Sequence, residues 1–355
     1  MARTAAGLPA GPRISDYISL GVVASRFPLR EIKEVLEQTG KASKRQRDLP
    51  AHVMVYYVIA MALYMQSSCR EVLRCLLEGV RWLAGPERQI KVTGRAGIAQ
   101  ARSRIGSEPI IELHDRIVGP IAVKEEDRTT RGAWYRRWHL VSFDGSTMDV
   151  AATAENEKAF GKPKASRGES AYPQIRFVSL VENGTHVLFG TQMGEYDASE
   201  GDLCDASLSH LKPGMLNLAD RNFFSYKRWE KASGTGADLL WRVKKNLILP
   251  CIKRFEDGSY LSKIYASTKE RRHDTNGILV RVIEYTLPDL PDAEPCYRLI
   301  TTIVEPEEAP ADELAALYHD RWEIENAFDE FKTHLRGRQI VLRSKKPDLD
   351  SAQIN

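Results

Sequence analysis

Two short, largely apolar runs, residues 138–143 and 215–219, each end in an aspartate, and neither is long enough for a helix of ordinary length. They read as buried strands, so this part of the chain has to build a sheet with Asp144 and Asp220 at the ends of two core strands. Around them the signals alternate. Residues 147–152 read as a hairpin partner of the first strand across Asp144-Gly145, and 175–181 and 186–192 read as strands around the turn Asn183-Gly184. A helix over 199–211, a helix over 223–232 and a strand over 239–243 follow. A stretch rich in β-formers and turn residues, 247–304, then precedes a helix opened by Pro310.

Upstream the pattern is helical. Helices are expected over 16–38, 50–65, 68–83 and 97–118, the last with a break near 106–109. Pro50 suits a first helical turn and Ser68 suits an N-cap. In this region Arg95, Gln100, Arg102 and Arg104 surround a short helix after a turn, the arrangement of a recognition helix in a groove, although surface arginines on a helical bundle read equally well.

The order of elements is an α/β layout related to the RNase H fold. The expected organisation is an all-helical N-terminal DNA-binding domain over 1–122 and an RNase H-like core whose first part, 123–246, holds both aspartates. An inserted β-rich subdomain over 247–308 and a final core helix over 309–355 complete it.

That final helix carries Tyr318, Arg321, Glu325 and Lys332, whose offsets of three, seven and fourteen fall within roughly 60° of one another at 100° per residue. One face then displays a phenol, a guanidinium, a carboxylate and an ammonium along about 21 Å of helix. Leu317, Ile324, Phe328, Phe331 and Leu335 cluster roughly 80° away and would anchor the helix on a core. A surface ion pair between Arg321 and Glu325 is the bland alternative, worth about 0.2–0.5 kcal/mol. With Asp144 and Asp220 at one sheet edge, Glu325 supplies a third carboxylate. Hard oxygen ligands of this kind suit Mg2+ or Mn2+, and two such ions about 3.5–4 Å apart serve in-line displacement at phosphorus. No GxSxG elbow, HExxH pair or GxxxxGK[ST] loop is present, which weighs against serine hydrolase, metalloprotease and nucleotide-dependent chemistry.

Composition agrees with a polyanionic partner. Across 355 residues, 43% hydrophobic and 28% charged residues describe an ordinary globular chain and exclude disordered and fibrous classes. The net charge is only +3, yet basic residues crowd into 41–47, 128–137, 242–245 and 336–346. Cys69, Cys75, Cys204, Cys251 and Cys296 are odd in number and widely spaced, which fits a reducing cytoplasm better than a disulfide framework or a zinc site. Residues 1–13 contain no apolar signal core, and the longest apolar run, 53–65, is too short to span a bilayer and reads as a buried helix.

The spacing of Tyr318, Arg321, Glu325 and Lys332 reproduces the Y-x2-R-x3-E-x6-K motif of the insertion-sequence-four family of DDE transposases. Phe143-Asp144-Gly145-Ser146-Thr147 resembles that family's first-aspartate motif. Ala219-Asp220-Arg221-Asn222-Phe223 resembles its second, where glycine is commoner than Asn222. The likeness extends over about residues 20–346. It implies metal binding by Asp144, Asp220 and Glu325, and DNA-phosphate contacts by Tyr318, Arg321 and Lys332, with Arg221 a weaker candidate. It further implies strand nicking, hairpin formation and strand transfer at inverted-repeat ends, in a homodimeric end complex on double-stranded DNA. A bacterial, nucleoid-associated setting without a membrane follows. Only 23 residues follow Lys332, where the family usually continues with further helices. A chain so shortened could act as a DNA-binding protein alone, and a structure-selective nuclease of the same fold is the other alternative.

Overall fold

A computed structural model describes residues 20–45, 49–64, 67–74, 76, 94–125, 128–165, 168–169, 172–286, 295–322 and 344–349. The chain divides into two compact units: Met1–Val118 with Met148–Gln174 and Asp329–Asn355, and Gly119–Thr147 with Ile175–Phe328.

The first unit is helical. Its elements are α1 (Leu20–Arg26), α2 (Leu29–Gln38), α3 (Ala51–Leu63), α4 (residues 69–74), α5 (Arg95–Ile105) and α6 (Glu108–Ile117). The single helix expected over 16–38 is broken between α1 and α2, where Pro28 adopts an extended ψ of 142°. Proline offers no amide and pushes the preceding residue out of the helical region, so the chain turns there. Pro50 occupies the cap position rather than the first turn, and the Ala51 amide instead donates to Ser43 Oγ at 2.8 Å. Ser68 caps α4 as expected, accepting from the Glu71 amide. α3 is buried nearly all round, through Val53, Met54, Tyr57 and Val58, as its uniform hydrophobicity requires. Ile32, Val35 and Leu36 of α2, Leu73, Ile98, Ile105 and Leu113 pack against it.

The second unit is built on one sheet, ordered β6-β5-β2-β7-β8-β12-β11-β10-β9 among the described residues, with β1 paired to β2. The strands are β1 (Trp134–Tyr135), β2 (Trp138–Asp149), β5 (Gln174–Glu182), β6 (Leu188–Gly194), β7 (Met215–Ala219), β8 (Asp238–Arg242), β9 (Lys253–Arg254), β10 (Tyr260–Ile264), β11 (Ile278–Tyr285) and β12 (Tyr297–Thr301). Helix α7 (Ala154–Phe160) and a separate two-stranded hairpin of β3 (Lys164–Ala165) and β4 (Gly168–Glu169) belong to the first unit. β2, β7 and β8 run parallel, while β5 with β6 and the series from β8 to β9 are antiparallel.

Helices α8 (Glu200–Ser207) and α9 (Tyr226–Ser233) connect β6 to β7 and β7 to β8, and α11 (Ala311–His319) follows β12. Alternation along β7 and β8 gives each face its own layer. Leu216, Leu218 and Leu240 pack with Leu314 and Tyr318 of α11. On the other face Trp241 meets Trp229 of α9 edge-on at 5.3 Å, and its indole donates to Asn217 at 2.8 Å.

Two expectations differ from this arrangement. β2 runs unbroken through Asp144-Gly145, so no hairpin opens there. The Asp-Gly pair is a local turn signal, whereas the pairing that wins is long-range: Gly145 lies beside β5, with the Phe177 carbonyl and Val178 side chain within 3.5 Å of where a Cβ would sit. The β-rich stretch 247–308, expected as an insertion of its own, continues the main sheet. β12 pairs with β8 through Leu299↔Arg242, Ile300↔Trp241 and Thr301↔Leu240. Pairing along β8 satisfies backbone groups that a free strand would leave open. Residues 253–264 and α10 (Thr268–His273) complete that part.

Two clusters, one buried and one exposed, secure α11. Arg281, fully buried, donates from Nη2 to Asp257 Oδ2 at 3.0 Å and from Nε to Ser259 at 2.9 Å, while the same Asp257 oxygen accepts the Ala311 amide at 3.1 Å. Arg136, in the turn between β1 and β2, forks onto Glu313 and reaches the Glu307 and Glu308 carbonyls. Elsewhere, fully buried Glu182 accepts from the Ile121 and Ala122 amides and from the Thr185 hydroxyl. His139 Nε2 lies 2.6 Å from it.

Candidate active site

The register of the parallel pair β2 and β7 ends at Ser142↔Leu218. Continued by two residues it sets Asp144 beside Asp220, with the strands about 4.8 Å apart. The pair β7 and β8 ends at Ala219↔Trp241, so the next step brings Arg242 beside Asp220. Arg242 Nη1 lies 3.9 Å from Asp220 Oδ1, with the two side chains 16% and 27% exposed. Asp144, Asp220 and Arg242 share the parity of Leu140, Leu218 and Leu240, the face on which α11 packs.

Each group is held from below. Asp144 Oδ1 accepts the Gly145 amide at 2.8 Å. The turn after β7 closes through the Phe223 amide on the Asp220 carbonyl, and the buried Phe223 ring packs on Phe143 at 6.0 Å. Arg242 lies over the Tyr297 ring at 4.6 Å, and Tyr297 stacks on Tyr285 at 5.2 Å. Burial pushes the Tyr285 phenol up to about 12 against the opposing pull of Arg242.

α11 continues as a 3-10 turn, Asp320–Trp322. Residues 323–343 lie outside the described residues, and with them Glu325, Lys332 and most of the expected polar stripe. Two members of that stripe are described. Tyr318 is buried, 5% exposed, rather than displayed on a ridge, and its hydroxyl donates to the Ala219 carbonyl at 3.3 Å. Burial, first, and the nearby Asp220 raise its pKa far above the ordinary phenol value although Arg321 and Arg242 oppose them. The phenol thus braces the residue before Asp220. Arg321 is half-buried, lies over the Tyr318 ring at 5.6 Å, and its Nε has no partner among the described residues. The tighter 3-10 geometry also departs from the 100° step on which the stripe was drawn.

Arg221 is exposed beside Asp220. In the helical unit Gln100 and Arg104 are exposed on α5, and Arg95 opens that helix. Arg102 is not on the surface: it is 8% exposed and donates to Ser344 Oγ at 2.6 Å, a structural tie. Among the described residues no three His, Cys, Asp or Glu side chains gather closely enough for a metal. The carboxylate pair is itself a hard-oxygen donor set of the kind that suits a divalent cation once a third acid joins it. Arg242 was missed as an individual site residue, though the basic run 242–245 had marked its neighbourhood.

Two families match this sequence. The family described as "Insertion element 4 transposase N-terminal" matches residues 17–115, and that described as "Transposase DDE domain" matches residues 139–346. The chain belongs to the DDE transposases of the insertion-sequence-four family. Among curated relatives it is 26% identical over 331 residues to "Transposase InsG for insertion sequence element IS4" of Escherichia coli (strain K12), covering 91% of this chain and 71% of the relative. It is also 24% identical over 211 residues to "Putative transposase InsZ" of the same organism, covering 58% of this chain and 65% of the relative. It is thus a transposase. No described helix is long and apolar enough to cross a membrane.

Proposed function

We propose that this transposase cuts and rejoins DNA at insertion-sequence ends on an RNase H-like core, with Asp144, Asp220 and Glu325 holding two divalent ions, Mg2+ or Mn2+. The strand order β6-β5-β2-β7-β8 supports the core: an antiparallel pair at one side, then two parallel strands beyond a central one. The observation that carries the reading is the register of β2 and β7, which, continued by two residues, supports neighbouring positions for two aspartates 76 residues apart in the sequence.

Held by these acids, divalent ions would supply Lewis acidity at the scissile phosphate. The side chains do the rest. Asp220 is aimed by Arg242, and its backbone is fixed by Tyr318. Arg242 and Arg321 present cations where a phosphate approaches the acids, while Arg221 and Lys332 extend that charge along the strand. Tyr318 acts through Ala219 rather than on the phosphate. The expected outcome is nicking, hairpin formation and strand transfer by successive in-line displacements at inverted-repeat ends. The two chains act as a homodimer on end and target DNA, in a nucleoid setting. Residues 1–122 supply end recognition, and residues 247–308 flank the catalytic edge.

The test uses the full chain with Mg2+ and a duplex bearing the DNA that flanks its gene. Asp144→Asn, Asp220→Asn and Glu325→Gln should each abolish nicking and retain DNA binding. Nicking that survives in any of the three overturns the metal assignment. A pre-nicked end with target DNA should yield joined product, and cleavage without joining would leave a nuclease.

A further inference from the structure

The basic run 41–47 is not used by the catalytic site, and three of its surroundings converge. A cavity of about 290 Å3 opens in the helical unit between residues 40–44 and α5. Lys41, Lys44 and Arg104 line it, Ser43 adds a hydroxyl, and Leu49, Met54, Ala101 and Ile105 give it an apolar floor. Among the described residues the lining contains no acidic side chain, and none of the three cations has an acidic partner. Surface cations in this same unit behave otherwise: Arg30, Arg74 and Arg116 are all paired with glutamates.

The loop that brings Lys41 and Lys44 here is fixed. Gly40, at φ +67, turns the chain at the end of α2, and the Lys41 and Ala42 amides both close onto the Leu36 carbonyl. Lys41 Nζ stands 4.0 Å from where a side chain on Gly106 would begin, which places it over the end of α5. Ser43 accepts from the Ala51 amide, so its own proton is left to donate.

We propose that this cavity receives one phosphate-and-sugar unit of the DNA backbone: Lys41, Lys44, Arg104 and the Ser43 hydroxyl bind the phosphate, and the deoxyribose lies on the apolar floor. Three cations from two segments some sixty residues apart, without an acidic partner among the described residues, match a single concentrated anion, and the volume, room for about ten waters at ~30 Å3 each, exceeds what a bare ion fills. The floor would gain nothing from a fully hydrated anion. The proposal rests on the DNA-end reading above and adds a second anchor outside the catalytic edge.

The experiment is fluorescence anisotropy of the full chain on a labelled duplex carrying the flanking DNA, between about 50 and 200 mM salt. Each of Lys41→Ala, Lys44→Ala and Arg104→Ala should reduce the slope of log K against log salt by about 0.9, and the triple variant by about two to three. Lys44→Arg should keep the slope. Ala42→Trp, which plugs the mouth at constant charge, should weaken binding at every salt concentration, as a diffuse surface charge would not predict. These side chains are exposed or half-exposed, so melting temperatures should not move. A triple variant with wild-type slope and affinity, or an Ala42→Trp variant with unchanged affinity, overturns the pocket and leaves the transposase reading standing. A wild-type chain without salt-dependent DNA binding overturns both.

Discussion

Removing the carboxylate of Asp257 should cost more than removing its partner Arg281, and the contacts say by how much. In Asp257→Ala the Arg281 guanidinium stays fully buried, with Ser259 as its one close acceptor and the Ile303 and Glu305 carbonyls at 3.4 Å. An uncompensated buried charge of this kind costs about 3–5 kcal/mol. The Ala311 amide at the start of α11 also loses its acceptor. In Arg281→Met the void is largely refilled, and Asp257 is 21% exposed and retains the Ser259 amide, the Ser259 hydroxyl and the Ala311 amide. Its cost should fall to about 1–3 kcal/mol.

The assay is thermal melting, at about 2–4 °C per kcal/mol for a unit of this size. Asp257→Ala should melt at least about 6 °C below wild type, Arg281→Met by less, and the double variant by less than the sum. Burial opposes ionisation of Asp257, but Ser259, Arg281 and the Ala311 amide outweigh it and hold its pKa below the ordinary 3.8. Its stabilising contribution is therefore complete above that value and lost as the pH falls below it, so the gap between wild type and Asp257→Ala should narrow in acid. If Arg281→Met proves the costlier change, or Asp257→Ala melts with wild type, the reasoning is wrong.

Glu182 offers a second acid-linked test. Burial works against its charge, yet His139, Thr185 and the two backbone amides hold its pKa below 4.5, so stability should drop as the pH falls through that lowered value. Glu182→Gln should be less stable at neutral pH and show a flatter acid limb in pH-dependent melts. Tyr318→Phe removes one buried hydrogen bond and should cost about 1 kcal/mol. Because the lost bond lies on Ala219, nicking should slow while the salt slope of DNA binding stays unchanged; a lowered slope would return Tyr318 to the phosphate.

The strand leading to Asp220 was legible because its apolar run stops at that residue. The β7 strand and Asp220 fall where the apolar run 215–219 stops, and β5, β6 and β8 lie within a residue or two of their expected places. What stayed hidden depends on partners distant in sequence. Asp144-Gly145 carries a turn signature, but pairing with β5 keeps β2 extended through it. Nothing local to 297–301 tells that it pairs with β8, nor that Arg102 meets Ser344. Tyr318 looked exposed because helical phase assigns a side, not a depth, and the 3-10 turn after it alters the phase. Asp220 and Arg242 come side by side through the register of β7 and β8, which a sequence does not display.

The continuity of strands from β8 to β9 has a practical corollary for anyone trimming this enzyme. Excising 247–308 would bare the whole hydrogen-bonding flank of β8, an apolar strand with Leu239, Leu240 and Trp241 wholly shielded in the intact chain. At present the sheet stops at two residues whose side chains are Lys253 and Arg254, a brief cationic rim at which neighbouring molecules repel. A shortened protein should precipitate through strand-to-strand association, so its inactivity would speak of solubility and not of catalysis.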